Sequence, residues 1–143
     1  MSDWKPIYTA QAHAVAGRDG RVTSEDGHLD VVLAPPAAMG GSGRGTNPEQ
    51  LFAAGYAACF HSALLFLARE TKADTSGSSA DGKVSIGPNP DGPGFRLAAH
   101  LTVALPALAQ ADAEALVEAA HKVCPYSNAT RGNIDVSFDV KGA

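Results

Sequence analysis

The chain has 143 residues, of which 11 are basic and 15 are acidic, so its formal net charge is -4. A chain of this length suits one domain, which buries roughly two-thirds of the surface of its unfolded state. The acidic balance argues against nucleic acid as a partner, because a phosphate-binding surface needs clustered Lys and Arg. We therefore expect a single domain over residues 1–143 that binds no nucleic acid.

The N-terminal part of the chain predicts β structure. Residues 8–15 are small or β-forming, a turn follows at residues 17–20, and apolar residues alternate between Leu29 and Leu33. These strands should form a meander or hairpin. The glycine-rich segment 39–45 then indicates a flexible loop.

A long helix is predicted after this loop. Asn47 suits the N-cap, Pro48 suits the first helical position, and Glu49 places an anion in the first turn. The helix should run to about Glu70. Between positions 51 and 68 it is apolar almost all round, which is typical of a helix buried at the centre of a protein. Its weak hydrophobicity and unsuitable flanks argue against a membrane span, and complete burial in so short a chain favours a second subunit.

The second half of the chain predicts further strands and one helix. Residues 71–82 are rich in serine, glycine and aspartate and indicate a mobile linker. Strands are predicted at 83–86, at 95–105 and at 134–140, and the spacing of apolar residues predicts a helix over 110–123. Strands and helices segregated in this way indicate an α+β fold.

The chain has two cysteines, Cys59 within the long helix and Cys124 directly after the second one. The first residues lack the pattern of a secretory signal, so we expect a cytoplasmic protein. In that compartment a cysteine pair is more often catalytic, redox-sensing or metal-binding than a structural disulfide. The simplest alternative for Cys59 is a small core residue, since free cysteine is among the most buried residue types.

A reactive Cys59 would need a cation to stabilise its thiolate. The helix N-terminus lies about 18 Å away, and His61 projects from another face of the helix. Arg18, in a turn, and Arg44, in the glycine-rich loop, are the candidates. An arginine about 4 Å away contributes about 4 kcal/mol at an effective dielectric of about 20, enough to lower the thiol pKa by about two or three units. Glu49 could orient such an arginine, from the other subunit if the distances on one chain are too long.

Two other site types have weaker support. His121 and Cys124 are three positions apart and could bind a metal together with Cys59, but no Cys-x-x-Cys motif or second His–Cys pair accompanies them. The glycine-rich loop matches neither the dinucleotide-binding nor the P-loop pattern. The remaining histidines are scattered on predicted strands and are interpreted as structural or exposed: His13, His28 and His100.

Two segments, 40–60 and 123–133, resemble the organic hydroperoxide resistance proteins of the OsmC-like superfamily. The resemblance extends over essentially the whole chain. The turn at residues 17–20 is similar to the one that carries the family's catalytic arginine, and the run Cys-Pro-Tyr-Ser-Asn-Ala-Thr favours this branch over the osmotically induced relatives. The resemblance implies an α+β, OsmC-like fold with antiparallel sheets packed around a long buried central helix, in an intertwined homodimer with active sites at the subunit interface.

The resemblance also implies a thiol peroxidase. Cys59 would attack a hydroperoxide, giving an alcohol and a sulfenic acid, and Cys124 would resolve the sulfenic acid as an intramolecular disulfide. Arg18 would stabilise the Cys59 thiolate, and Glu49 would hold Arg18. Dihydrolipoamide or a lipoylated protein would supply electrons, with no haem, flavin or metal cofactor.

Organic and fatty-acid hydroperoxides are the substrates that the resemblance implies. Phe52, Phe60 and Tyr126 are the candidates for lining an apolar substrate pocket. A non-catalytic thiol-based sensor or an apolar-ligand-binding protein on the same fold is the alternative function.

Overall fold

The computed structural model of the chain describes residues 3–143. These residues divide into two compact units, with the boundary after Pro48 and the second unit spanning Glu49–Ala143. The expectation of a single domain over the whole chain stays a prediction. Each unit contains a three-stranded sheet.

The first unit is an antiparallel meander. Its strands are β1 (Ala12–Val15), β2 (Arg21–Ser24) and β3 (Asp30–Val32), hydrogen-bonded in the order β1-β2-β3. The predicted meander is confirmed, although its first strand begins four residues later than the sequence pattern indicated. A salt bridge of 2.7 Å between Arg21 and Asp30 joins β2 to β3 across the solvent-exposed face.

Two short 3₁₀ turns lie in the connections of the first unit. One spans Gly17–Asp19 between β1 and β2 and carries Arg18 at its centre. The other, Ala37–Met39, ends at the first residue of the segment 39–45, which the sequence indicated as a flexible loop. Backbone hydrogen bonds hold that segment, for example the 3.0 Å bonds from the amides of Gly41 and Gly43 to the carbonyls of Pro36 and Pro35. Part of the loop is therefore fixed by backbone hydrogen bonds.

The long predicted helix is confirmed as α1, Pro48–Thr71. One face of it is fully buried within its own chain, and residues four apart form this stripe: Tyr56, Phe60, Leu64 and Ala68. A second stripe of mostly small side chains is exposed: Ala54, Ala58, Ser62 and Phe66. Among residues 3–143, α1 is the helix long and apolar enough to cross a membrane, a test that the core helix of a soluble protein also passes.

The sheet of the second unit contains β4 (Ser79–Pro88), β5 (Phe95–Ala104) and β6 (Val136–Lys141). β4 and β5 form an antiparallel hairpin, whereas β6 pairs with β5 in parallel. The second pairing differs from the antiparallel sheets expected from the sequence. Two parallel strands need a long crossover connection, which here contains α2 (Gln110–Val123) and α3 (Pro125–Thr130).

The core of the second unit lies between α1, the sheet and α2. It combines the buried stripe of α1 with side chains from β5 and α2 and from the residue that follows each of them, all less than a tenth exposed: Ala99, Leu101, Val103, Leu105, Ala113, Leu116, Val117, Ala120 and Cys124. β4 lies directly on α1 at Gly82, where a Cβ atom would come within 2.5 Å of the carbonyl oxygen of Ala53. Gly82 therefore permits the close approach that places the sheet against α1.

Candidate active site

The two cysteines of the chain lie side by side in the second unit. The sulfur of Cys124 is 3.8 Å from the sulfur of Cys59, and both are free thiols. Cys124 is fully buried and Cys59 is partly exposed. Since a disulfide bond is about 2.0 Å long, the two sulfurs would need to approach by only about 1.8 Å to form one. We refer to Cys59 and Cys124 as the dithiol.

The backbone of Cys124 is held by the helices on either side of it. The residue has extended dihedral angles and lies between the end of α2 and the start of α3. Its amide donates to the carbonyl of Ala120 at 2.9 Å, and its carbonyl accepts from the amide of Asn128 at 2.9 Å. Pro125 takes the first position of α3, where its missing N–H removes no helical hydrogen bond. The sequence thus ends α2 and begins α3 at the residue that faces Cys59.

Burial raises the pKa of the Cys59 thiol above its ordinary value. The backbone amide of Tyr126 hydrogen-bonds to Cys59 and opposes this increase, while the thiol of Cys124 adds to it. Desolvation disfavours the thiolate, and a single backbone donor offsets only part of that effect. The surroundings of Cys59 within residues 49–143 therefore favour the neutral thiol.

The structure places Arg18 and Glu49 on different units. Arg18 lies in the 3₁₀ turn of the first unit, and Glu49 lies in the first turn of α1. Ten residues of helix separate Glu49 from Cys59, or about 15 Å along the helix axis. The assignment of Arg18 and Glu49 to the activation of Cys59 stays a prediction.

Three aromatic rings form a cluster between the start of α1 and α3. The ring centroids of Phe52 and Tyr126 are 6.1 Å apart, and that of Tyr56 is 5.7 Å from Tyr126. Tyr126 is 38% exposed, and Phe52 is partly exposed. Phe52 and Tyr126, both predicted to line a substrate pocket, are thus in mutual contact with part of their surfaces accessible.

Phe60 occupies a different environment from the other two predicted pocket residues. It has no exposed surface, and its ring centroid is 5.1 Å from that of Phe138 on β6. Its side chain packs between α1 and the sheet, in the core of the second unit.

An apolar cavity of about 490 Å³ opens beside Cys59. Its lining comes from the middle of α1, the end of α2 and the start of α3: Cys59, Ser62, Ala63, Phe66, Leu67, Val123 and Pro125. The sequence prediction missed Phe66, which is 54% exposed. The available signal was its spacing, because a residue seven positions after Cys59 returns to nearly the same face of the helix.

A buried network of hydroxyl groups lies next to the dithiol. The Ser127 hydroxyl is 2.8 Å from the hydroxyl of Tyr56 and 2.8 Å from Nδ1 of His121. Thr130 lies 3.2 Å from the Tyr56 hydroxyl. Tyr56 and Ser127 are both fully buried. No single motif in the sequence indicated this network, because it joins residues that are distant along the chain.

His121 belongs to this network, where its ring contacts the hydroxyl of Ser127. Its pKa is lowered, first by burial and then by the positive charge of Arg131, which also donates a hydrogen bond to the His121 carbonyl. Within residues 3–143, no three His, Cys, Asp or Glu side chains converge in a way that could hold a metal ion. The proposed set of His121, Cys124 and Cys59 is therefore not brought together as a metal site.

The fold and the dithiol define an α+β protein with two facing thiols. One thiol lies on the central helix α1, and the other lies in the crossover between β5 and β6. The family model for OsmC-like proteins matches residues 41–139. An organic hydroperoxide resistance protein of Xanthomonas axonopodis pv. citri is 51% identical over 94% of this chain and 94% of its own length. The crystal structure of OhrB of Bacillus subtilis has a TM-score of 0.86 and 46% identity, covering 95% of this chain and 100% of that one.

A second crystal structure agrees with these findings. The crystal structure of an organic hydroperoxide resistance protein from Elizabethkingia anophelis has a TM-score of 0.92 at 43% identity, covering 98% of this chain and 100% of that one. The chain belongs to the OsmC-like family, and its relatives include several organic hydroperoxide resistance proteins. The resemblance and the predicted α+β, OsmC-like fold are confirmed. Membership supports a redox role connected with organic hydroperoxides.

Proposed function

We propose that this protein is a thiol peroxidase that reduces organic hydroperoxides to alcohols. The observation that supports it most directly is the 3.8 Å separation of the two sulfurs, one partly exposed and the other buried behind it. The exposed sulfur can meet a substrate, and the buried one can meet only its neighbour. This arrangement suits a peroxidatic Cys59 and a resolving Cys124.

The first step oxidises Cys59. Its thiolate attacks one oxygen of the O–O bond, an S–O bond forms, and the alkoxide leaves and takes up a proton to give the alcohol. Cys59 becomes a sulfenic acid, and the hydroperoxide has gained two electrons.

The second step closes a disulfide. The Cys124 thiolate attacks the sulfur of Cys59, an S–S bond forms, the S–O bond breaks, and hydroxide leaves as water after protonation. A dithiol reductant, proposed to be dihydrolipoamide or a lipoyl group on a protein, then exchanges with the disulfide. It restores both thiols and is itself oxidised to a cyclic disulfide.

Activation of Cys59 is assigned to Arg18, held in place by Glu49. A cation beside Cys59 is proposed because burial raises the pKa of its thiol, whereas the nucleophile is the thiolate. An arginine beside the sulfur would lower that pKa and would also polarise the peroxide oxygen.

The apolar cavity beside Cys59 indicates the substrate class. Its lining is mostly hydrocarbon, so a hydroperoxide with an alkyl or fatty-acyl chain gains from burial there, at about 25 cal/mol per Å² of apolar surface. Hydrogen peroxide has no such surface. Phe52 on α1 and Tyr126 on α3 both keep accessible surface. We propose that they contact the alkyl or fatty-acyl chain of the same hydroperoxide.

A homodimer is proposed as the working form, and the cytoplasm as its location. The exposed stripe of α1 consists of small and apolar side chains, which a second subunit would cover. Such packing would complete the burial of a helix that its own chain covers on one face.

The deciding experiment measures consumption of tert-butyl hydroperoxide and of a fatty-acid hydroperoxide with dihydrolipoamide as reductant. Wild type should turn over repeatedly, and Cys59→Ser should be inactive. Cys124→Ser should turn over more slowly than wild type and lose activity as Cys59 is converted to a sulfinic acid, because the sulfenic acid no longer has a resolving thiol. Reaction limited to one equivalent in the wild type would contradict the proposal and support a thiol-based sensor. Binding of an apolar ligand without any reaction would support a carrier.

A further inference from the structure

Each of the two cysteines has a buried hydroxyl group three residues away along the chain. Tyr56 lies three residues before Cys59 on α1, and Ser127 lies three residues after Cys124 in the first turn of α3. Their hydroxyl oxygens are 2.8 Å apart, and neither side chain has any exposed surface. The same two segments are therefore joined twice, once by the hydroxyl pair and once by the facing sulfurs.

We propose that the hydrogen bond between Tyr56 and Ser127 is a positioning clamp that holds the Cys124 segment against Cys59 and thereby favours disulfide closure over further oxidation. The two residues are called the hydroxyl clamp below. The inference rests on the proposed peroxidase function. It adds a structural feature that protects Cys59 from further oxidation to a sulfinic acid. Tyr56 and Ser127 act here as positioning residues.

A sulfenic acid at Cys59 has two competing fates. In one, Cys124 attacks its sulfur, an S–S bond forms and water leaves. In the other, the sulfenate attacks a second hydroperoxide molecule, a second S–O bond forms, the O–O bond breaks, and an alcohol leaves a sulfinic acid behind. Only the second route accelerates with peroxide concentration. The fraction of Cys59 lost as sulfinic acid is therefore set by how fast closure occurs.

Closure depends on a small approach of the two sulfurs, about 1.8 Å from their present separation of 3.8 Å. A loosened α3 would let Cys124 spend part of its time farther from Cys59, and the effective concentration of the attacking thiol would fall. The hydroxyl clamp opposes this loosening because it lies in a dry environment, where a hydrogen bond is strong relative to solvent-exposed alternatives.

The network allows the clamp to be removed without stranding a buried polar group. In a Tyr56→Phe variant, the Ser127 hydroxyl keeps its 2.8 Å contact with His121 Nδ1. The Thr130 hydroxyl keeps its 3.3 Å bond to the carbonyl of Ser127. The ring itself stays, so the core keeps its volume and the variant is expected to fold.

The test compares wild type with Tyr56→Phe, Ser127→Ala and the double variant. Tyr8→Phe is the matched control, because it removes the same hydroxyl from a side chain that is 78% exposed. Each reduced protein is mixed with increasing tert-butyl hydroperoxide and quenched at intervals. Intact-mass spectrometry then separates thiol, sulfenic, disulfide and sulfinic forms.

We expect loss of the clamp to slow closure about fivefold, which corresponds to one buried hydrogen bond between neutral groups. The fraction of sulfinic acid at high peroxide should rise in proportion. Oxidation of Cys59 itself should stay within about twofold of the wild-type rate, because the first step does not use Cys124. The double variant should be about as slow as Ser127→Ala, since that substitution already removes the bond between the two hydroxyls, and Tyr56→Phe then removes only the longer contact of 3.2 Å with Thr130.

Unchanged closure in Tyr56→Phe and Ser127→Ala would overturn the proposal. So would an equal slowing of both steps, which indicates general loosening of the fold, or additive slowing in the double variant. Closure is also measured with diamide, an azo oxidant that accepts two electrons and two protons from a dithiol. If wild type closes with diamide but ignores hydroperoxides, the peroxidase function fails while the same comparison of closure rates still decides on the clamp.

Discussion

The ring of Tyr126 lies over Gly55 so closely that a Cβ atom at position 55 would be 2.7 Å from the Tyr126 hydroxyl oxygen and 3.1 Å from the ring carbon that carries it. Glycine at this position lets the first turn of α3 approach α1 one turn before Cys59. The backbone amide of Tyr126, which hydrogen-bonds to Cys59, comes with it. The absence of a side chain at position 55 thus leaves the space that the Tyr126 ring occupies against α1.

Gly55→Ala is therefore expected to displace the Tyr126 ring and to slow hydroperoxide reduction. Overpacking costs about 1–3 kcal/mol of unfolding free energy, and the better helix propensity of alanine within α1 offsets about 1 kcal/mol of it. Urea denaturation and steady-state kinetics measure the two effects. Gly87→Ala is the control, because a Cβ there meets nothing within 4 Å. The loss of stability should shrink when Gly55→Ala is combined with Tyr126→Phe, which removes the closest atom; an undiminished loss would assign the strain to another contact.

The lowered pKa of His121 predicts that the protein is less stable in mild acid. Burial is the main cause and the charge of Arg131 the second, so the unfolded chain takes up this proton at a higher pH than the folded chain does. The contribution of neutral His121 is then complete above about pH 6.5, the ordinary histidine pKa, and is lost as the pH falls through the lower folded pKa. Urea denaturation between about pH 7.5 and pH 5 should show this slope. His121→Asn should flatten it, and an unchanged slope would exclude His121 as its source.

Phe60 is expected to act through stability rather than through substrate binding. Phe60→Ala should cost about 3–5 kcal/mol of unfolding free energy, because the side chain is fully buried against Phe138. Phe95→Ala, which removes a ring that is 71% exposed, should stay within about 1 kcal/mol. Phe60→Leu keeps most of the volume and should leave the KM for organic hydroperoxides unchanged. A raised KM in a stable Phe60→Leu protein would indicate that Phe60 contacts the substrate after all.

The proposed dimer predicts a sharp response to charge on the exposed stripe of α1. Ala58→Arg should convert a dimer into a monomer in analytical ultracentrifugation, since an unpaired charge in a packed interface costs several kcal/mol. Ala111→Arg places the same change on an exposed position of α2 and serves as the control. A dimer that survives Ala58→Arg but not Ala111→Arg would move the interface to α2.

Sequence patterns were most informative where local signals were strong. The bounds of α2 follow from apolar spacing over fourteen residues, and the start of α1 follows from Pro48 at its first position. α3 was missed because six residues are too few to show a helical period. The parallel pairing of β6 with β5 was missed because strand direction is decided by the length and path of the crossover, not by the residues of the strand.

The candidate site was predictable to the extent that motifs carry it. The resemblance paired Cys59 with Cys124, and the structure brings their sulfurs into contact. The hydrogen bond between Tyr56 and Ser127 could not be predicted from the sequence. Serine and tyrosine occur in many environments, and these two residues are 71 positions apart. Burial of Phe60 depends likewise on a distant strand.

The crossover that joins β5 to β6 carries the proposed resolving thiol, and this position affects the stability of the oxidised protein. A bond between Cys59 and Cys124 would convert the chain from α1 to the end of α2 into a covalent ring that encloses β4 and β5. A ring of about 65 residues restricts the unfolded chain by about 4 kcal/mol on the chain-entropy account. Each catalytic cycle would then alternate a linear chain with a cyclised one, and the oxidised protein would melt at a higher temperature than the form that is ready to react.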